Sequence, residues 1–374
     1  MTRIGRASFG STLVISSLVM IACASTDPAT DPGDGLKFAI RGKVSHNDLS
    51  PFGGVLIGVG TRLDTTDANG EYAIDALPKG EYIVTPTIAG ISFTPGSITV
   101  QIVDADVGSQ NFVEAVAAAP KLELILVQPG TFVMGEGDGS RTFSYSPAHT
   151  VHITRPFYMA KYELKQMEYS ALMGPYPEAR SEGDSFPATD LTMALLAEFC
   201  NRLSIAEGLD PACSIEGNEV TVDVTKSGYR FPTEAEWEYA CRAGTTGETY
   251  YGPLITTPES ARDSTARLQG WFRYQSTPPG DKLSRPHKVG LRDPSPWGFY
   301  DIYGNAEEFT ADSWIDGYEA AEVSDPYRHI KNGTSAARGG GVDHGGPFGS
   351  HNKKEYPLNL RAAVATIRAV RTKL

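Results

Sequence analysis

Cysteine, basic charge and long apolar runs are all scarce in this chain. Four cysteines in 374 residues exclude a disulfide-dense scaffold. Lysine and arginine total 33 against 45 acidic residues, a net charge of −12. That balance excludes the basic footprint of a nucleic-acid binder and fits a soluble surface. There is no Gly-Lys phosphate loop, no Ser-His-Asp order and no HExxH helix. What is abundant is turn chemistry, with 39 glycines and 25 prolines, which points to a loop-rich fold. At 40% hydrophobic and 21% charged the composition is that of a globular protein, and the length suits two or three domains.

Residues 1–23 read as a targeting segment. Arg3 and Arg6 give a positive start, and Leu13 to Ala22 is apolar apart from Ser16 and Ser17. This stretch is too short for a bilayer-spanning helix, so a secretory signal is the better reading. Its end, Leu18-Val19-Met20-Ile21-Ala22-Cys23, resembles a bacterial lipobox, although Met20 and Ile21 depart from the commonest pattern. The resemblance implies cleavage before Cys23, lipidation of its thiol and a membrane anchor in the bacterial cell envelope. Ala24 in place of an acidic residue implies outer-membrane sorting. Export permits a disulfide; with Cys23 set aside, Cys200, Cys213 and Cys241 allow at most one, and sequence singles out no pair.

Residues 24–35 are polar and rich in Pro and Gly, the composition of a flexible linker. From 36 to 115 short strands alternate with turns. Val55, Ile57 and Val59 alternate, and Tyr72-Ala73-Ile74, Tyr82-Ile83-Val84 and Ile98–Ile102 are further strands. Asp67-Ala68-Asn69-Gly70 is a strong turn signal; as a cation site, Asp67 and Asn69 are less convincing than as a plain turn. This region resembles the carboxypeptidase-regulatory-like, prealbumin-type β-sandwich, whose members serve as spacers or adhesion elements.

The stretch Gly228-Tyr229-Arg230-Phe231-Pro232-Thr233-Glu234-Ala235-Glu236-Trp237-Glu238-Tyr239-Ala240-Cys241-Arg242-Ala243-Gly244 reads as a short strand followed by a sharply capped helix. Thr233 is the N-cap and Glu236 completes a capping box. Trp237, Ala240 and Cys241 fall on one face. Thr192 is the N-cap of a second helix carrying Leu195, Leu196, Phe199, Cys200 and Leu203. Glu163 is expected to begin another helix that runs to Met173. His149 and His152 lie three apart on one strand and so face opposite ways. His287 is read as a loop residue before a strand.

The capped helix, with Gln128–Gly135, Ser146–Val151, Phe157–Glu163, Trp297–Thr310, Arg338-Gly339-Gly340-Gly341 and Ile367–Arg371, resembles the formylglycine-generating enzyme, or sulfatase-modifying-factor, family from 122 to 374. The implied fold class is α+β, a C-type-lectin-like architecture with much irregular backbone, preceded by the small all-β domain. The resemblance also implies a calcium site on the side chains of Asp301 and Glu308 and the carbonyls of Gly304 and Ala306, hard oxygens that suit Ca²⁺. A second family calcium site does not carry over, because the stretch 268–273 lacks its ligands. Members that generate formylglycine hold Cu(I) on two cysteines between the Arg-Gly-Gly motif and the last strand. Here that interval, Val342 to Asn359, contains none, so copper is not expected; nor is iron, because the relatives that use it take histidines from an additional helical domain where this chain has its β-domain. Asp343, His344 and His351 offer a facial triad for non-haem iron, with a polar surface loop as the plainer reading.

Two functions follow. The first is a lipid-anchored, extracytoplasmic binding or accessory protein for a peptide, glycan or protein ligand. Its contact surface would lie near Trp271, Trp297, Trp314 and Phe348. The alternative is an oxidoreductase of the formylglycine-generating or non-haem iron type, acting on a peptide cysteine or a small thiol.

Overall fold

The computed structural model describes residues 35–47, 49–88, 91–115, 118–137, 144–176, 183–250, 270–272, 285–331, 333–342, 349–359, 361 and 365–374. The chain separates into two compact units. One comprises the residues through Thr87 with Pro95–Val113, the other Ile88–Thr94 with Glu114–Leu374.

The first unit is built of strands, as its alternating pattern predicts. Arg62–Thr65, Leu56–Val59, Gly80–Thr87 and Ile98–Ile102 form an antiparallel sheet in that order. Glu71–Leu77 pairs antiparallel with Phe38–Ser45, which runs parallel to Phe112–Glu114. Val55, Ile57 and Val59 are buried, whereas Leu56 points outward at 38% exposure. This is the period-two arrangement of a half-buried sheet. Asp67 makes the predicted turn by accepting at Oδ1 from the amides of Asn69 and Glu71 at 2.8 and 2.9 Å.

Among the described residues, the larger unit mixes short strands with three helices. Helix α1 spans Gln166–Met173, α2 Met193–Ala206 and α3 Glu234–Arg242. Thr192 caps α2 as expected, accepting from the Leu195 amide. The capping box of α3 is complete, with Thr233 and Glu236 each satisfying the other's amide. Glu163 does not begin α1. The helix starts three residues later, capped by Lys165 and Glu168, because Glu163 is drawn into the protein by partners described below. Nor does a strand follow His287: Val289 and Gly290 form a turn.

Tyr229–Arg230, Val370–Thr372, Phe157–Ala160 and Leu124–Val127 form one four-stranded sheet. Lys354–Pro357, Thr334–Arg338, Glu307–Phe309 and Ala365–Thr366 form another. One apolar core surrounds α1 and α2 and contains Leu196, Phe199, Leu203 and Phe231. A second surrounds α3 and contains Trp237, Phe299, Ile302 and Tyr303. Gly339 follows the Thr334–Arg338 strand at φ +88°, where an added Cβ would sit 3.1 Å from the Ile302 carbonyl and 3.3 Å from Trp237. Only glycine meets both conditions comfortably, so the chain passes directly over the face of α3.

Candidate functional site

Two buried ionic clusters flank α3. The first begins on the helix itself, whose Glu234, Glu238 and Arg242 recur every four residues and are all buried. Glu238 accepts at Oε1 from Arg242 Nε and Nη2, at 2.9 and 2.7 Å, and from the Gly135 amide at 2.9 Å. At Oε2 it accepts from Arg338 Nη1 at 2.9 Å. Arg338 also donates to the Ser350 carbonyl at 3.1 Å and the Tyr318 hydroxyl at 2.7 Å. Burial raises the Glu238 pKa, but the two guanidiniums outweigh it and leave the carboxyl below its ordinary value.

Lys353 continues this cluster. Its ammonium lies 3.4 Å from Glu234 Oε2 and over the rings of Tyr318 and Trp314, at 4.5 and 5.0 Å. Asp312 accepts from the amides of Glu234 and Arg328 at 2.8 and 2.9 Å. Burial, and then the Glu234 charge, push its carboxyl up to about 7.

The second cluster centres on Arg368. Its Nε lies 3.0 Å from both oxygens of Glu308, and Nη2 is 2.6 Å from Oε1. The remaining guanidinium protons go to the carbonyls of Lys161 and Tyr300, each at 2.8 Å, and of Ala160 at 3.3 Å. Trp237 reaches from α3 and donates to Glu308 Oε2 at 2.7 Å. Glu163 accepts from the Ala306 amide at 2.7 Å and from Asn305 Nδ2 at 2.8 Å. These bonds pull Glu163 inward, which is why it cannot serve as a helix start. Asp301, in left-handed conformation at φ +57°, accepts from the Gly290 amide at 2.6 Å through Oδ2. Its Oδ1 is buried with no hydrogen-bond partner. Three buried carboxylates thus gather round one guanidinium. Glu163 is pushed up by burial, then by Asp301 and Glu308, and Asp301 is pushed up to about 6 chiefly by burial.

Asp301, Gly304, Ala306 and Glu308 are all buried on this one turn and strand. Among the described residues no three His, Cys, Asp or Glu side chains are grouped to hold a metal. A calcium site of the predicted kind requires only two carboxylates, with carbonyls completing the set. The orphaned Asp301 oxygen and the surplus of buried negative charge fit an oxygen-seeking cation. Gly304 offers a carbonyl that already accepts from the Trp271 amide at 3.1 Å, and Glu308 would share its carboxylate with Arg368. Sequence reading missed Glu163 and Arg368 as members of this cluster. The available signal was the acid Glu163 at the end of the run Phe157–Tyr162, in which Lys161 is the one other charge.

Other predicted residues are dispersed. His351 is not on a polar surface; it is buried, with Nε2 2.9 Å from Glu136 and its ring against Tyr145. Asp343, His344, Phe348 and Cys23 lie outside the described residues. Trp297 packs edge-on against Tyr239, and Trp271 stacks on His287 at 3.6 Å. Cys200, Cys213 and Cys241 are all buried. His149 and His152 face opposite ways as expected: His149 is buried, while His152 meets Thr131 and Glu322 on the outer side.

A mixed α+β domain with extensive irregular backbone, folded over a capped helix and an Arg-Gly-Gly strand end, defines a class of proteins built on the sulfatase-modifying fold. The chain belongs to that family: the sulfatase-modifying factor enzyme 1-like domain matches residues 110–367. It is 26% identical over 255 residues to the chaperone protein LppX of Paenibacillus barcinonensis, covering 58% of this chain and 87% of that protein. It is 28% identical over 236 residues to the formylglycine-generating enzyme of Bos taurus, covering 56% of this chain and 62% of the enzyme. A shorter match, 32% over 117 residues, is to the inactive C-alpha-formylglycine-generating enzyme 2 of Bos taurus, covering 30% of this chain and 35% of that protein. Among solved structures, Treponema denticola variable protein 1 aligns with a TM-score of 0.54 at 20% identity, over 67% of this chain and 95% of that one. PvdO from Pseudomonas aeruginosa aligns at 0.52 and 21%, over 67% and 94%. These last two likenesses concern the fold alone.

Proposed function

We propose that this protein is a lipid-anchored, extracytoplasmic binding or accessory module that uses the formylglycine-generating scaffold without copper oxidase chemistry. Lipidated Cys23 anchors it in the bacterial cell envelope, on the outer membrane. The all-β unit, read as a carboxypeptidase-regulatory-like spacer, extends the larger unit from the membrane. Its ligand is a peptide, glycan or protein. The observation that carries the reading is the lack of any cysteine from Val342 to Asn359, together with the burial of the three remaining described thiols in apolar cores. Cu(I) requires soft thiolate donors, and sulfurs closed inside the folded cores offer none to an ion arriving from solvent. The relatives named as a chaperone and as an inactive enzyme are consistent with a non-catalytic role.

Incubation of the purified protein with Cu(I), oxygen and a sulfatase-type cysteine peptide is expected to give no formylglycine by mass spectrometry. Turnover that survived metal-free purification and returned with copper or iron would overturn the reading in favour of the oxidoreductase.

The same proposal places calcium on Asp301, Gly304, Ala306 and Glu308. When bound, the ion would supply positive charge to the carboxylate cluster, and its role is structural. Saturating calcium over EDTA is expected to stabilise the protein by about 3 kcal/mol at a hundredfold excess over Kd, measured as a rise in Tm. Asp301→Ala should abolish the calcium-dependent difference. A Tm indifferent to EDTA and calcium would sink the assignment.

A further inference from the structure

We propose that Cys200 and Cys213 are a disulfide pair, closed when the chain folds in an oxidising compartment, and that Cys241 remains a free thiol. The proposal rests in part on the reading of the chain as exported, because only an oxidising compartment keeps such a bond.

The geometry starts from Asn201, the residue after Cys200 on α2. Its side-chain amide clasps the backbone of Cys213 on both sides. Asn201 Nδ2 donates to the Cys213 carbonyl at 2.9 Å, and the Cys213 amide donates back to Oδ1 at 3.1 Å. This double bond pattern seats the start of the Cys213–Glu216 strand beside the helix at position 201. Cys200 and Cys213 belong to one apolar core and are 0% and 7% exposed. The Cys213 thiol beside it, and then burial, push the Cys200 thiol well up, and Cys213 Sγ donates to the Tyr229 carbonyl at 3.8 Å. The two sulfurs therefore face each other in a chain running from Cys200 through Cys213 to Tyr229. Cys241 sits in the other core beside the hydroxyls of Ser350 and Tyr303.

The Asn201 clasp seats Cys213 beside the helix one position from Cys200, and neighbouring thiols anchored in one core supply the proximity that a disulfide requires. Closure balances as a two-electron exchange. A small-molecule or protein disulfide, R–S–S–R, accepts the electrons. One cysteine thiolate attacks it, forming a mixed disulfide and releasing one R–S⁻. The second thiolate displaces the other. The S–S bond between residues 200 and 213 forms, the R–S–S–R bond breaks, two R–SH leave, and the protons of both cysteines go to solvent and to the departing thiolates. Because both thiols are buried in the finished core, the exchange takes place before α2 and the strand close over them.

The test is to unfold and reduce the full chain, refold it in a mixed reduced and oxidised glutathione buffer, then denature and alkylate. Peptide mapping is expected to find residues 200 and 213 linked and unalkylated, with Cys241 alkylated. Dithiothreitol should lower the Tm of this material by roughly 5–10 °C, and C200S/C213S should show no such dependence. Alkylation of residues 200 and 213 as complete as that of Cys241, or a link to Cys241, would overturn the proposal. If the double variant does not fold, the mapping and the dithiothreitol shift of the unsubstituted chain decide alone. Mapping of protein isolated from the envelope is the separate test of export. A link made on refolding but missing there rejects export and leaves the pairing intact.

Discussion

Arg368→Met is expected to destabilise the protein by about 3–5 kcal/mol, the usual penalty for removing one partner of a buried ion pair. The side chain is fully buried and its guanidinium is saturated: Glu308 takes one edge, and the carbonyls of Lys161, Tyr300 and Ala160 take the remaining protons. Methionine fills comparable space, so packing changes little. What changes is electrostatic, because Glu308, Glu163 and Asp301 lose the guanidinium they share. Urea denaturation measures the loss directly. The double variant R368M/E308Q should recover part of it, since the charge that was stranded is removed as well, and a double-mutant cycle gives the coupling. If calcium occupies this cluster, its stabilising effect should be larger in R368M than in the parent, because the cation then carries the neutralisation alone. A loss under about 1 kcal/mol, within the range of exposed ion pairs, would show that the cluster is not held together by this contact.

The contrast between the two sides of α3 shows what sequence can and cannot disclose. The helix was legible to the residue: Pro232, the Thr233–Glu236 box and the Trp237, Ala240, Cys241 face are local features that act over a few residues, and each is present. Thr192 was legible for the same reason. Glu163 was not. Its acidity after a strand resembles a helix start, but its partners are Asn305 and Ala306, more than a hundred residues away, and a tertiary bond overrode the local preference. Arg338 and Arg368 were visible only as parts of a family ending. Nothing at their own positions reveals that Glu238 and Glu308 receive them. His351 followed the opposite course: glycines around it read as a surface loop, yet the backbone turns it inward toward Glu136. The calcium candidates Asp301 and Glu308 were found because they bracket one short turn, and the cysteine pairing stayed open because the Asn201 clasp spans a loop with no pattern of its own.

Glu238→Gln is the companion experiment, with an expected loss again of about 3–5 kcal/mol and a distinct pH signature. The carboxylate is 0% exposed and takes four donors: two from Arg242, one from Arg338 and one from Gly135. A glutamine of the same shape leaves Arg242 buried without the carboxylate it faces, leaves Arg338 only Glu234 at 3.5 Å from its Nε, and turns an amide donor toward one of the two guanidiniums. The direction with pH follows from the lowered carboxyl. Between the native value and the ordinary value of 4.5 the unfolded chain binds more protons than the native one, so stability rises with pH across that window. The contribution of Glu238 is complete above the unfolded value and is lost as pH falls through the native one. The gap in Tm between parent and E238Q should therefore be widest near neutrality and close on acidification, because only the parent has a charge to lose there. A gap that stayed constant from neutral to acid conditions would mean that Glu238 contributes shape and hydrogen bonds but not charge. The ionic clamp between α3 and the Arg-Gly-Gly strand end would then be structural in a different sense from the one its distances imply.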